Sequence, residues 1–100
     1  MTNNEYDTDK VHIEYISIDE PPRYRVFLLN DDYTTMDFVV TVLEKVFHKE
    51  HGEAEDLMNE IHTTGRGFCG EYTHEIAETK VHLVHQKAQQ AGFPLRCVME

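Results

Sequence analysis

Three short polar residues, Asn30, Asp31 and Asp32, follow directly on an apolar segment of the chain. Their amide and carboxylate oxygens accept hydrogen bonds, and an ionised carboxylate also attracts cations. A further acceptor, His62, stands beside Ile61 on an apolar stripe of residues. If the fold brings these acceptors together, they form a candidate binding site. Asn and Asp are also common turn formers, and a lone histidine is common at a core boundary, so an ordinary turn is the alternative.

The charge of the chain favours cationic ligands. Nineteen Asp and Glu residues against nine Lys and Arg residues give a formal net charge of -10. Contacts to phosphate groups need clustered Lys and Arg, so this charge weighs against nucleic acids and anionic membranes as partners. An acidic protein attracts cations, and the free α-amino group of a peptide is one of them.

The composition predicts a single cytoplasmic domain. One hundred residues suffice for one hydrophobic core but not for two. No apolar run reaches the length of a membrane span, about 18 residues, and the polar, acidic start of the chain is unlike a signal peptide. Cys69 and Cys97 are expected to be reduced, buried thiols. A disulfide between them is the alternative if their strands are neighbours.

An acidic arm precedes the predicted domain. Residues 1–21 are rich in Asp and Glu, and two consecutive prolines mark their end. We therefore expect a flexible arm over residues 1–21 and a core domain over residues 22–100. Apolar and polar residues alternate over residues 11–16, so a short edge strand is the alternative there.

The first half of the domain carries one strand signal and one strong helix signal. The segment Tyr24–Leu29 is rich in β-branched and aromatic residues and predicts a strand that ends at the three polar residues. Thr34 stands three residues before Asp37, a capping-box pattern that opens a helix with an apolar face up to Phe47. We expect Gly52 to break this helix.

The second half carries two further helices and two strands. The second helix is expected to end before Gly65, and residues 67–72 are expected to form a short strand. Thr73 caps a third predicted helix that Gly92 closes, and residues 95–99 form the last strand. The order β-α-α-β-α-β predicts an α+β domain, with three helices packed on a small three-stranded antiparallel sheet.

Short motifs from Asn30 onward form a series along the chain. They are Asn30-Asp31-Asp32-Tyr33-Thr34, Met36, Phe38-Val39, Val42-Leu43, Leu57-Met58, Ile61-His62, Cys69-Gly70, Glu75-Ile76-Ala77-Glu78-Thr79-Lys80 and Pro94-Leu95. In order and spacing the series resembles the ClpS family, the adaptors of the ATP-dependent Clp protease, from about Pro22 to the C-terminus. Two departures are visible. The arm matches nothing in the family pattern, and Thr35 replaces a proline that many members have at the first helical position, which we expect to weaken the cap.

This resemblance implies an adaptor without catalytic activity, cofactor or metal. Such an adaptor binds proteins whose exposed first residue is Leu, Phe, Tyr or Trp (N-degrons) and delivers them to the N-terminal domain of a ClpA-type AAA+ unfoldase. The family's acceptors for the α-amino group correspond here to Asn30, Asp32 and His62. The family's hydrophobic pocket corresponds to Leu28, Leu29, Thr34, Met36, Val39, Met58, Ile61 and Leu95. The resemblance assigns unfoldase docking to Glu75 and Lys80, for which a solvated helix face is the alternative.

Two other classes of function stay open on the residues alone. The pairs His48/His51 and His82/His85 have a spacing that chelates metals on helices, so a small metal-assisted hydrolase using Asp32 is one alternative. Neither pair has a third ligand at readable spacing, and no nucleophile accompanies Asp32. The C-terminal domain of the ribosomal stalk protein has a similar fold, so a structural interaction module is the other alternative.

Overall fold

The computed structural model describes residues 20–100, so most of the predicted arm, including the alternating segment 11–16, lies outside the described part. The elements are β1 (Arg23–Leu29), α1 (Met36–Lys45), α2 (His51–Thr64), β2 (Arg66–Thr73), α3 (His74–Ala91) and β3 (Arg96–Met99). The α+β class and the order β-α-α-β-α-β predicted from the sequence are confirmed. Within residues 20–100, every helix is too short or too polar to cross a bilayer.

The three strands form one antiparallel sheet in the order β2-β1-β3, with β1 at its centre. Cys69 of β2 and Cys97 of β3 are therefore separated by a whole strand, which places their backbones about 10 Å apart. A disulfide requires a Cα separation below about 7 Å, so the alternative of a disulfide does not hold. Both cysteines are free and buried, and burial raises the pKa of each thiol to about 12.

The hydrophobic core lies between one face of this sheet and the three helices. Val26 and Leu28 of β1 are completely buried and point into the core, together with Cys69 and Cys97. Neighbouring residues on a strand point to opposite sides. We call the opposite side the outer sheet face; its residues are Arg23, Arg25, Phe27, Leu29, Arg66, Phe68, Glu71, Arg96, Val98 and Glu100.

Helix α1 begins one residue later than predicted. Thr35 is its N-cap, and the Thr35 hydroxyl accepts a hydrogen bond of 3.2 Å from the Phe38 N–H. The capping box predicted at Thr34 is therefore wrong, because the Thr34 hydroxyl donates to Asp31 instead. A threonine cap typically contributes about 1 kcal/mol. Thr35 thus supports the helix start, contrary to the weakening expected from the missing proline.

The end of α1 also differs from the prediction. The helix ends at Lys45, and Gly52 lies in the first turn of α2 rather than at a break. Val46 and Phe47 remain buried beyond the helix end, so the apolar pattern continues into the link between the two helices. His48 in this link has a φ of 57°, a left-handed conformation that turns the chain toward α2.

Two glycines end the other helices where the sequence predicted. Gly65 after α2 and Gly92 after α3 have φ values of 100° and 81°, which residues with a Cβ rarely adopt. Thr73 is the N-cap of α3 by position, but its side chain makes no capping hydrogen bond. Glycines in a left-handed conformation therefore end α2 and α3, whereas the start of α3 has no side-chain cap.

Candidate functional site

A cavity of about 200 Å³ lies where the β1–α1 connection, the start of α1 and the last turns of α2 meet. It is lined by Asn30, Asp31, Asp32, Thr34, Met36, Val39, Met58, Ile61 and His62. The connection and His62 supply the polar groups, while α1 and α2 supply the apolar ones. Hydrogen-bond acceptors and an apolar wall therefore face the same small space.

Asp31 organises the connection that carries the acceptors. Its carboxylate accepts hydrogen bonds from the Tyr33 N–H at 2.8 Å, the Thr34 N–H at 2.7 Å and the Thr34 hydroxyl at 2.7 Å. Burial alone would raise the pKa of Asp31, but the hydrogen bonds from Thr34 and Tyr33 outweigh it and lower that pKa. Asp31 lines the cavity and is at the same time committed to the turn.

A backbone hydrogen bond joins the two sides of the cavity. The Asn30 N–H donates to the Gly65 carbonyl at 2.9 Å, and the Gly65 N–H donates to the Ile61 carbonyl at 2.9 Å. The end of β1 is thereby fixed to the last turn of α2, which carries His62. Asn30 and His62 are 32 positions apart in the sequence, and this contact explains how they come to share one cavity.

Close packing of β2 positions α2 behind the cavity. A Cβ atom added at Gly67 would lie 2.6 Å from Ile61 Cγ1 and 2.9 Å from Leu57 Cδ1. Both distances are too short for real side chains, so a larger residue at Gly67 would displace the helix that carries Ile61 and His62. Gly67 is not among the predicted site residues, although a glycine inside a strand pattern is the sequence signal of such a close approach.

The structure brings together all three predicted acceptors and five of the eight predicted pocket residues. The other three lie elsewhere. Leu28 and Leu95 are buried in the core, and Leu29 lies on the outer sheet face. None of the three lines the cavity. The alternation of β1 turns Leu28 toward the core and Leu29 to the opposite side of the sheet.

The two predicted docking residues lie on α3 in different environments. Glu75 is exposed in the first turn. Lys80 is half-buried: its Nζ donates a 2.7 Å hydrogen bond to the Val46 carbonyl and lies 5.5 Å from the centre of the Tyr72 ring. Lys80 therefore ties α3 to the end of α1, a structural role that the sequence did not predict.

The histidine pairs serve separate contacts in the structure. His51 bridges Glu44 at 2.7 Å and Glu55 at 3.3 Å, and the hydrogen bond with Glu44, aided by the charge of Glu55, raises the pKa of His51. His85 Nε2 accepts a 3.0 Å hydrogen bond from the Cys97 N–H. Burial, with smaller effects of Arg96 and His82, lowers the pKa of His85, which favours the neutral form that accepts this hydrogen bond. Across residues 20–100, no three His, Cys, Asp or Glu side chains are grouped as metal ligands.

Nearly all of the described chain matches one protein family. The model of the family described as "ATP-dependent Clp protease adaptor protein ClpS" matches residues 19–98. The chain belongs to the ClpS family. It is therefore an adaptor of the Clp protease and not an enzyme, so the alternative of a metal-assisted hydrolase is wrong.

Curated relatives support the same membership. The ClpS adapter protein of Desulfotalea psychrophila is 51% identical over 100 residues, which cover 100% of this chain and 98% of that protein. The ClpS adapter protein of Wolinella succinogenes is 53% identical over 87 residues, covering 87% and 85% of the two chains. The similarity to the first of these relatives extends over the arm as well as the domain.

A solved ClpS structure confirms the fold. The structure of Agrobacterium tumefaciens ClpS2 bound to L-phenylalaninamide superposes with a TM-score of 0.78 at 37% sequence identity. The match covers 81% of this chain and 98% of the ClpS2 chain. This ClpS-family chain thus shares its architecture with a member that binds a small amino-acid amide.

Proposed function

We propose that the chain binds proteins whose exposed first residue is Leu, Phe, Tyr or Trp and delivers them to a ClpA-type AAA+ unfoldase. One observation carries the proposal: a single small cavity is lined both by the three candidate acceptors and by the apolar side chains of Met36, Val39, Met58 and Ile61. L-Phenylalaninamide, the ligand of the ClpS2 relative, carries both a free α-amino group and an apolar side chain. The proposed ligand needs the same two kinds of contact.

The three acceptors suit an α-ammonium group. This group has three N–H donors and a positive charge, so it requires several acceptors and one negative charge. Asp32 supplies the charge, while Asn30 and a neutral nitrogen of His62 supply further acceptors. Each charge-assisted hydrogen bond contributes about 1.5–3 kcal/mol. Groups that lack the charge and the donors leave these acceptors without partners.

The apolar wall suits one large side chain. The cavity of about 200 Å³ is smaller than the roughly 300–1,000 Å³ of pockets for drug-sized ligands. Burial of a Leu or Phe side chain against Val39, Met58 and Ile61 contributes about 1.5–3 kcal/mol. After the costs of association, the contacts support a dissociation constant on the order of micromolar, which corresponds to a binding free energy of about -8 kcal/mol.

Delivery requires a second surface, which we place at the start of α3. Glu75 offers an exposed carboxylate there, and Lys80 holds the helix against α1 while its side chain remains partly accessible. We propose that both residues face the N-terminal domain of the unfoldase. We also propose that delivery takes place in the cytosol, where Cys69 and Cys97 remain reduced.

A fluorescence-polarisation titration tests the binding half of the proposal. We expect a labelled peptide that starts with Leu to bind, and a peptide of otherwise identical sequence that starts with Met to bind more weakly. The two peptides share every residue after the first, so a difference reports recognition of the first side chain. Equal affinity of both peptides would contradict recognition of destabilising N-termini.

Met36 is expected to exclude side chains that branch at Cβ. Its side chain lies at the start of α1, lines the cavity and is 48% exposed, so it is a rim residue rather than a core residue. Met36→Ala should admit peptides that start with Ile or Val and should retain binding of peptides that start with Leu. The measurement is the same titration of wild type and variant with peptides that start with Leu, Met, Ile and Val.

Met58→Ala provides the matched control for this gate. Met58 also lines the cavity but lies on α2, so its truncation enlarges the space without opening the rim at α1. We expect Met58→Ala to weaken binding of Leu-started peptides and still reject Ile. If Met36→Ala rejects Ile as firmly as wild type does, Met36 is not the gate.

A further inference from the structure

All four arginines of the chain lie on the outer sheet face. The strand register places Arg66 and Arg96 on either side of Leu29, at one end of the sheet. Arg25 and Arg23 follow toward the other end of β1. The four lysines within residues 20–100 lie on the helices or in the link between α1 and α2, so the arginines form a separate, concentrated group.

This face has the opposite charge to the rest of the protein. It carries two acidic residues, Glu71 beside Arg25 in the register and Glu100, which pairs with Arg66 at 3.1 Å. Four arginines against two glutamates leave a formal charge of +2 on a chain whose net charge is -10. Such a face attracts an acidic partner.

The centre of the face is aromatic and is covered by arginine side chains. Phe27 is only 7% exposed although it lies outside the core cluster between the sheet and the helices. The Arg66 guanidinium lies 4.0 Å from the centre of the Phe27 ring, and Phe68 packs edge-on at 5.7 Å. Phe68 itself is 44% exposed. The face therefore offers an apolar contact framed by cations, which fits a segment that is both acidic and partly apolar.

We propose that residues 1–19 of the acidic arm fold back and dock on the outer sheet face. Residues 1–19 contain five acidic residues, Glu5, Asp7, Asp9, Glu14 and Asp19, against the single Lys10. The apolar residues of the arm alternate with polar ones over residues 11–16, so an extended arm presents an apolar side to Phe68. No residue of the outer sheet face lines the cavity, so docking of the arm is independent of ligand binding there.

The attachment point and the length of the arm permit this docking. The arm joins the domain through Pro21 and Pro22 at the start of β1, the central strand of the sheet. Nineteen extended residues span at most about 60 Å, whereas the seven residues of β1 span about 23 Å. Because the arm is tethered, its local concentration at the face is far higher than that of any separate acidic partner.

A spin label on the arm tests the docking in the full chain. Thr8→Cys introduces a reactive thiol, while burial and a pKa of about 12 protect Cys69 and Cys97 from the same reagent. With a nitroxide on this thiol, we expect loss of backbone amide NMR intensity at Phe68 and Phe27. Amides on the exposed side of α3, such as that of Gln86, should keep their intensity. Broadening centred on the helices would overturn the proposal.

Charge variants separate docking on arginine from general attraction. Arg25→Gln combined with Arg66→Gln should restore the intensity of the strand amides. Lys45→Gln combined with Lys87→Gln changes the net charge by the same amount on exposed helical positions and should leave the loss intact. Raising the salt from 0.15 M to about 1 M shortens the Debye length from about 8 Å to about 3 Å and should act like the arginine variant. Equal recovery in both double variants contradicts the proposal.

A variant of the arm keeps the test decisive if the arginine variant fails to fold. Asp9→Asn combined with Glu14→Gln alters only the arm and should also restore the strand signals. A mixture of two chains, one with the nitroxide but no ¹⁵N and the other with ¹⁵N but no nitroxide, shows whether the broadening arises between molecules. If the signal loss in this mixture equals the loss in the chain that carries both labels, the arm of a second copy occupies the face. That result would overturn docking within one chain.

Discussion

A peptide that starts with Leu is expected to bind with its α-amino group free and to lose binding when that group is acetylated. Acetylation removes the positive charge and two of the three N–H donors, and it adds bulk beside Asn30, Asp32 and His62. The apolar wall still accepts the side chain, but the acceptors that the bound peptide covers are left without donors, which costs about 1–3 kcal/mol for each group so covered. Isothermal calorimetry or fluorescence polarisation with the two peptides measures the difference.

Asp32→Ala should reproduce much of this loss from the protein side. We expect at least a tenfold weaker affinity for the free peptide, equivalent to about 1.4 kcal/mol. Asp37→Ala is the matched control, because Asp37 is also exposed near the start of α1 but does not line the cavity. Both variants remove one negative charge, so a long-range effect of net charge would weaken both. Equal affinity for the free and the acetylated peptide would contradict the proposed binding site for the α-amino group.

A chain shortened to begin at Glu20 should bind Leu-started peptides almost normally and yet fail to deliver them. The domain that it retains contains the whole sheet, the core and the cavity. We propose that the arm supplies the segment that the unfoldase engages during delivery. Degradation of a Leu-started reporter by a reconstituted ClpA-type unfoldase and its peptidase should therefore fall to the level without adaptor.

The binding titration on the same shortened chain is the control for this experiment. Unchanged affinity with lost degradation separates delivery from recognition. Loss of both, with a lower melting temperature, would show that residues 11–16 add a strand to the domain rather than act as an arm. Full degradation with the shortened chain contradicts a role of the arm in delivery.

The element order was predictable because local signals agree along most of the chain. Gly65 and Gly92 stand at the helix ends where a left-handed residue is required, and the strand at Tyr24–Leu29 has a clear β-type composition. Gly52 misled the prediction because a glycine in the first turn of a helix resembles a glycine after its end. The true break at Val46 and Phe47 is hidden, since both residues are apolar and buried.

Part of the candidate site was predictable from the sequence. The acceptors came from family motifs, and the structure places all three at one cavity. Leu28 and Leu29 were both assigned to the pocket, although neighbours on a strand face opposite sides and cannot line the same space; the alternation rule alone could have excluded one of them. The bond from Lys80 to the Val46 carbonyl joins positions 34 residues apart, and no local pattern predicts such a contact.

The hydrogen bond from Asn30 to Gly65 has a consequence for the entropy of binding. Together with the three bonds to the Asp31 carboxylate, it restricts the backbone of the β1–α1 connection before any ligand arrives. A flexible connection would lose conformational entropy when it closed around an amino group, and this free-energy cost would weaken the affinity. In the proposed function, this preorganisation reduces the entropy that is lost when the connection binds the first residue of a protein.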